Sequence, residues 1–150
     1  MNFRKAKKED LIEIVRMLAD DELGKTREDF QDPLPEVYYK AFEKIKDDPN
    51  QELIVVEQGA DEIIGTMQLT FIQDLSHQGG LRSQIEAVRI NKNKRGKGIG
   101  KKMFQWAIQR AKDRGAYLMQ LTTNKQRPEA IEFYKSLDFT PSHVGMKMYF

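Results

Sequence analysis

Two helix-period segments stand back to back near the start of the chain, and three strand-period segments follow them with no helix in between. Residues 8–20 set Leu11, Ile12, Ile14, Val15 and Leu18 on one apolar stripe. Glu9 and Asp10 occupy the first turn, where the helix dipole favours acids. Residues 37–46 form a second, shorter helix that ends near Pro49. The period then changes. ELIVVEQ (52–58) and residues 62–72 read as strands joined by the turn residues 59–61, a hairpin. The loop SHQGGLRS, broken at Gly79 and Gly80, leads to a third strand at 84–90. A doubly wound sheet needs strands and helices in alternation, so this order excludes it.

The remaining elements complete the pattern. A short strand covers 2–6. A long helix covers 98–114, closed by Gly115 as its cap. A strand follows at 117–123. The helix 128–136 opens on Pro128 and buries Ala130, Ile131, Phe133, Tyr134 and Leu137. Two last strands, 139–143 and 146–150, flank Gly145. The order predicts a mixed, mostly antiparallel sheet of about seven strands with helices on both faces, in a single domain spanning 1–150.

Composition narrows the chemistry. The chain has no cysteine, which excludes disulfides and thiolate metal sites. Only His77 and His143 are present, so a multi-histidine metal site is not expected. The opening MNFRKAKKED lacks an apolar core, and no apolar run approaches the ~20 residues that span a bilayer. The expectation is a soluble cytoplasmic protein without metal and without a membrane partner. The net charge of +2 is small for a general nucleic-acid binder. The charge is nevertheless uneven: residues 90–102 hold six basic residues and no acid, and residues 20–36 hold seven acids and two bases. The pair reads either as two ligand regions of opposite preference or as two solvated surfaces.

The basic run contains RGKGIGKKM (95–103), three glycines entering a helix. It does not fit the Walker pattern, because Arg95 stands at the first glycine position and Lys102 at the Ser/Thr position. Nor does it fit the dinucleotide fingerprint, because Gly96, Gly98 and Gly100 are spaced G-x-G-x-G. The physics of those motifs still applies. A helix start offers unpaired N–H groups and partial positive charge, and glycines let a phosphate approach the backbone. Arg95, Lys97 and Lys101 add full charges. The segment therefore reads as a pyrophosphate cradle or as a basic loop capping a helix. In the preceding strand, Ile85 and Ala87 share one alternation phase while Val88 and Ile90 share the other. That slip predicts a β-bulge, or else a strand buried on both faces.

These residues resemble the GNAT superfamily of acetyl-coenzyme A-dependent acetyltransferases, whose cofactor motif is [QR]-x-x-G-x-[GA]. The motif stands here as Arg95-Gly96-Lys97-Gly98-Ile99-Gly100. QIEAVRINKNK is similar to the family's bulged fourth strand. Asn124 followed by the run Ala130 to Phe139 is similar to its N…A…FY-x-x-x-G-F signature, with Asp138 replacing the usual glycine. The resemblance is strong over most of residues 50–140, and the N-terminal helices match only in type.

The resemblance implies specific roles. Two parallel strands splay apart at the bulge, and the thioester lies between them. Backbone groups of Val88 and Ile90 pair with the pantetheine arm. Arg95, Gly96, Lys97, Gly98, Gly100 and Lys101 hold the pyrophosphate, and Asn124 contacts the cofactor. No metal is required.

Acetyl transfer to an amine needs a neutral amine, donors for the developing oxyanion and a proton for the departing thiolate. Tyr134 matches the family tyrosine facing the sulfur, although its place on an apolar stripe also suits core packing. Glu86, just before the slip, is the candidate base if partial burial favours its protonation, or else an exposed strand residue. His77 and Tyr38 are weaker candidates for contacting the acceptor; Trp106 reads as packing. The expected activity is N-acetyl transfer to a primary amine of a small molecule or peptide, by direct attack in a ternary complex. The acidic segment hints at a cationic acceptor. The alternative is a non-catalytic acyl-coenzyme A sensing module. A nucleic-acid partner is disfavoured, because no aromatics interleave the basic run. The protein is expected to be a monomer or homodimer.

Overall fold

The computed structural model describes residues 1–20, 24–59 and 61–150. Residues 21–23 of the acidic segment and Ala60 of the hairpin turn lie outside the described residues. Strand β1 (Asn2–Lys5) leads through one 3-10 turn (Lys8–Asp10) into α1 (Leu11–Ala19). Helix α2 (Glu36–Asp47) precedes the antiparallel strands β2 (Gln51–Gln58) and β3 (Glu62–Gln73). One turn, α3 (Ser76–Gly79), leads to β4 (Leu81–Ile90). Then follow α4 (Ile99–Asp113), β5 (Ala116–Gln120) and α5 (Pro128–Lys135).

The sheet order is β1-β2-β3-β4-β5. The first three pairings are antiparallel and the last, β4 with β5, is parallel. A parallel neighbour needs a crossover, and α4 supplies it. The mixed sheet is therefore as expected, but among the described residues it has five strands and not about seven. Residues 139–150 form neither of the two strands anticipated there. Residues 144–150 carry the right alternation, but among the described residues no strand pairs with them.

Alternation along β2 divides the core into two layers. Ile54 and Val56 pack with Met67, Leu69, Ile85, Met103 and Phe104 beneath α4. Val55 points the other way, to Leu11, Ile14, Val15 and Phe42 of α1 and α2. Helices thus cover both faces. Trp106 stacks on Phe3 with ring centroids 4.9 Å apart, so it is packing, as its mid-helix position suggested. Arg4 ties β1 to its surroundings: it donates to both carboxylate oxygens of Asp10 and, at 2.6 Å, to Glu57. Asp10 also accepts from the Lys7 N–H. Among the described residues, no helix is long and apolar enough to cross a membrane.

Candidate active site

The phase slip in β4 is a bulge. Thr66 faces Arg89 and Gln68 faces Glu86, so Met67 alone opposes both Ala87 and Val88. Ala87 takes up the extra residue with φ 52°, a left-handed conformation that is costly for a side chain with a Cβ. On its other side β4 pairs with β5 only as far as Gln84↔Gln120. Beyond that point β4 runs on to Ile90 with no β5 partner, so the two parallel strands part just before the bulge. The main chain from Ile85 to Ile90 is left with an open edge to which an extended ligand can hydrogen-bond. Val88 and Ile90 lie on it, and part of it is already engaged. The Val88 carbonyl accepts from Arg89 Nη1 at 2.9 Å, and the Ile90 carbonyl from Arg95 Nε at 3.1 Å.

The glycine stretch closes one end of this opening. Gly96 and Gly98 have φ 77° and 72°, and a Cβ on either would meet nothing within 4 Å. Their role is therefore conformational, and the space over them is free. Gly98 is the N-cap of α4 and has no side chain to bond the helix's first N–H groups. Lys97 and Lys101 are exposed, and among the described residues neither has an ion-pair partner. Arg95 lies 3.5 Å from Asp20, which it would share with any bound anion. Open amides, a helix dipole and two free ammonium groups suit a diphosphate. Gly100 differs from the other two. A Cβ there would stand 3.3 Å from Ile90 Cδ1 and 3.4 Å from Phe133 Cζ, so this glycine lets α4 approach β4 and α5 closely.

Tyr134 is half-buried among Phe104, Phe133 and Phe139, with ring centroids 5.5 to 6.2 Å away. Burial pushes its phenol up, while the charges of Arg127 and Arg89 pull the other way; the net shift is upward. The group therefore keeps its proton at neutral pH and is a donor. The ring is thus packed while the hydroxyl stays protonated. Asn124 accepts from the Gln126 N–H at 2.9 Å and so shapes the loop that enters α5. Asp138, at the usual glycine position, has φ 67°, a conformation that aspartate tolerates better than most residues.

Three candidates stand differently from expectation. Glu86 is exposed, so the partial burial expected for it is not found. His77 is exposed, stacks on Tyr117 at 5.2 Å and lies before Leu81, at the far end of β4 from the cradle. At about 3.3 Å per residue, Leu81 and Glu86 are roughly 17 Å apart along the strand, too far for His77 and Glu86 to share one proton. Tyr38 has its hydroxyl occupied: it accepts from Asp29 N–H at 2.8 Å and donates to Glu28, fastening a loop to α2.

A feature not singled out from the sequence is a polar row across four strands. Gln51, Thr70, Gln84 and Gln120 are successive register partners, with Gln68 and Glu86 paired beside them. Gln68 Nε2 donates to Gln51 at 2.8 Å, and Gln120 Nε2 to Gln84 at 2.7 Å. The signal was present in the alternate polar positions 66, 68, 70 and 84, 86, but pairing across strands depends on register. The row lies on the sheet face that α1 and α2 occupy, beside the bulge. Arg82 follows Gln84 and Glu86 in phase on that face, and Asp74 lies 3.2 Å from its Nε.

A sheet split between parallel strands at a bulge, with a glycine-rich basic segment at the start of the next helix, is the arrangement of the acetyltransferase class that the sequence resembles. The chain belongs to the Acetyltransferase (GNAT) family, whose model matches residues 15–139. It is 51% identical to a transcriptional regulator from Bacillus halodurans C-125 of known crystal structure, with a TM-score of 0.95 and 99% of each chain covered. It shares the fold of a predicted acetyltransferase with acetyl-CoA from Clostridium acetobutylicum, at 22% identity and TM-score 0.72, covering 99% of this chain and 95% of that one. It is also 30% identical over 82 residues to the aminoalkylphosphonate N-acetyltransferase of Salmonella typhimurium. That match spans 55% of this chain and only 53% of the relative.

Proposed function

We propose that this protein transfers an acetyl group from acetyl-coenzyme A to a primary amine of a small molecule or peptide, by direct attack within a ternary complex. The observation that carries the reading is the end of the β4–β5 ladder at Gln84↔Gln120, immediately before the bulge at Ala87 and opening toward the bare N-terminus of α4. Bound acetyl-coenzyme A supplies the thioester. The amides after Gly96 and Gly98, with Lys97 and Lys101, hold its diphosphate. The edge of Val88 to Ile90 aligns its arm in strand fashion.

Tyr134 acts as the acid. The acceptor nitrogen forms a bond to the carbonyl carbon as the carbon–sulfur bond breaks, and Tyr134 passes its phenolic proton to the departing sulfur. The proton lost by nitrogen leaves through Glu86 or water, and Tyr134 regains one from solvent. An exposed Glu86 suits a relay to water better than a buried strong base. The acceptor rests on the polar row. Neutral amides, Glu86 and an Arg82 already beside Asp74 favour a cationic or hydroxyl-bearing amine over the phosphonate-bearing acceptor in the Salmonella relative's name.

The test is an amine panel with acetyl-coenzyme A, reading free thiol: polyamines, amino sugars, amino-acid amines, peptides and aminoalkylphosphonates. Turnover with at least one cationic or hydroxylated amine, lost on Tyr134→Phe, supports the reading. Tight cofactor binding without turnover on any amine would overturn it in favour of an acyl-coenzyme A sensing module. That second reading draws support from the 51% identical relative described as a transcriptional regulator.

A further inference from the structure

A cavity of about 360 Å³ opens where the end of β1 and the 3-10 turn after it meet the last turns of α2 and the start of β2. Small-molecule sites occupy roughly 300–1,000 Å³, so the cavity suits a small ligand. Its inner wall is apolar. Phe42 is 5% exposed, Ala6 and Leu53 pack in the same layer, and Ile45 adjoins them. Its outer part is basic. The run Lys5-Ala6-Lys7-Lys8, which neither the cradle nor the polar row uses, contributes three lysines, and Lys46 adds a fourth; all four are exposed.

The acids beside these lysines are already engaged. Glu43 pairs with Lys46 at 3.1 Å. Glu52 accepts from Arg110 and Arg114 of α4, on the other face of the sheet. Gln51 is occupied as well: its Nε2 donates to Asp48 at 3.0 Å, and its Oε1 accepts from Gln68. Lys5, Lys7 and Lys8 make no ion pair with a described residue. The Lys5 charge acts on Glu52 and the Lys7 charge on Asp10 only at longer range, and arginines already bond both carboxylates. Lys8 Nζ stands 5.3 Å from the Tyr39 ring centroid. The last turn of α2 brings carbonyls of partial negative charge, which Lys44 and Lys46 in that turn offset. Three ammonium groups are therefore in surplus beside an apolar wall.

We propose that this cavity binds a small amphipathic anion, a carboxylate at the end of an apolar body. The body rests on Ala6, Phe42, Ile45 and Leu53, and the carboxylate lies among Lys5, Lys7 and Lys8. Burial of the body removes apolar surface from water, and the charge completes hydrogen bonds that the lysines lack. A bare anion would leave the wall wet, and a neutral apolar molecule would leave the ammonium groups unpaired. The site is distinct from the β4–β5 opening. Lys5 is the register partner of Ile54 and Ile54 of Met67, which opposes the bulge. Three strand spacings of ~4.8 Å place Lys5 roughly 14 Å from Ala87. The inference therefore does not depend on the acetyl-transfer reading.

Octanoate is the probe. Acetate keeps only its charge, and octanamide keeps only its apolar body. Calorimetry on the full chain should show one octanoate site, bound at least about tenfold more tightly than either control, the value of one charge-assisted hydrogen bond or of a short apolar chain. The affinity should fall with added salt. Lys5→Gln/Lys7→Gln/Lys8→Gln should weaken octanoate by at least about tenfold, whereas Lys97→Gln/Lys101→Gln should bind it as the parent does. Amide shift changes on adding octanoate should centre on Ala6 and Leu53. Equal binding of octanoate and octanamide would overturn the proposal, as would the absence of any octanoate site. Loss of binding in the Lys97/Lys101 variant and not in the triple variant would also overturn it, placing the anion at the cradle. If the triple variant does not fold, Lys7→Glu decides by the same readout.

Discussion

Gly100 on α4 faces Phe133 on α5 so closely that a methyl group on Gly100 would stand 3.4 Å from the Phe133 ring. Two glycines of one motif thus do different work. Gly98→Ala meets open space and costs only the left-handed strain, roughly 1–2 kcal/mol. It should also weaken coenzyme A binding, because it crowds the cradle. Gly100→Leu should destabilise by roughly 1–3 kcal/mol by overpacking. Gly100→Ala should stay within about 1 kcal/mol of the parent, the gain in helix propensity offsetting the tight contact. Denaturant titration with calorimetry on each variant separates the effects. Unchanged coenzyme A binding in Gly98→Ala, or unchanged stability in Gly100→Leu, would contradict the division.

Tyr134→Phe keeps the ring among Phe104, Phe133 and Phe139 and removes only the hydroxyl. The maximal rate should fall by roughly 10²-fold or more, the low end for a lost general acid. Coenzyme affinity should change less than about twofold, and stability by less than ~1 kcal/mol, since none of the described residues bonds the hydroxyl. Unchanged turnover would remove Tyr134 from the chemistry.

Lys97→Gln and Lys101→Gln each remove one cation from the cradle without touching the core, since both side chains are exposed. Each should raise the dissociation constant for coenzyme A several-fold, worth about 0.5–1 kcal/mol for a charge near a helix N-terminus. The salt dependence of binding should flatten in parallel, because screening acts on the same charges. Isothermal titration at two ionic strengths reads both effects.

Glu52 predicts an acid-sensitive step in stability. Its side chain is buried on β2 and accepts from Arg110 at 2.6 and 3.0 Å and from Arg114 at 3.0 Å. Burial pushes its carboxyl up, but the Arg110 hydrogen bonds and the charges of Arg110, Lys5 and Arg114 outweigh it and hold it below the usual carboxylate range. A lowered folded value means that the contribution is complete above the unfolded carboxylate's range and is lost as pH falls through the folded one. Glu52→Gln should cost roughly 1–3 kcal/mol at pH 7. It should also flatten the decline in melting temperature at acid pH. Parallel melting curves for the two proteins from pH 7 down to pH 3 would refute the assignment.

Much of this molecule was legible in the amino-acid pattern because the relevant forces are local. The change of period near residue 50 determined the order of elements, and five strands and the main helices lie within a few residues of expectation. The phase slip from Ile85 to Ile90 located the bulge, since a single extra residue must invert alternation. The glycines at 96, 98 and 100 marked a helix start that an anion could approach, while the left-handed backbone at 96 and 98 was decided by the fold. Other outcomes depended on what lies across space. Gly100 became a packing residue because Phe133, far along the chain, rests over it. Glu86 proved exposed and His77 remote from it, because register and strand length set those relations. The polar row from Gln51 to Gln120 exists only once four strands are aligned. Residues 144–150 carry a strand's alternation, yet a strand needs a partner edge, and only the tertiary arrangement decides whether one is within reach.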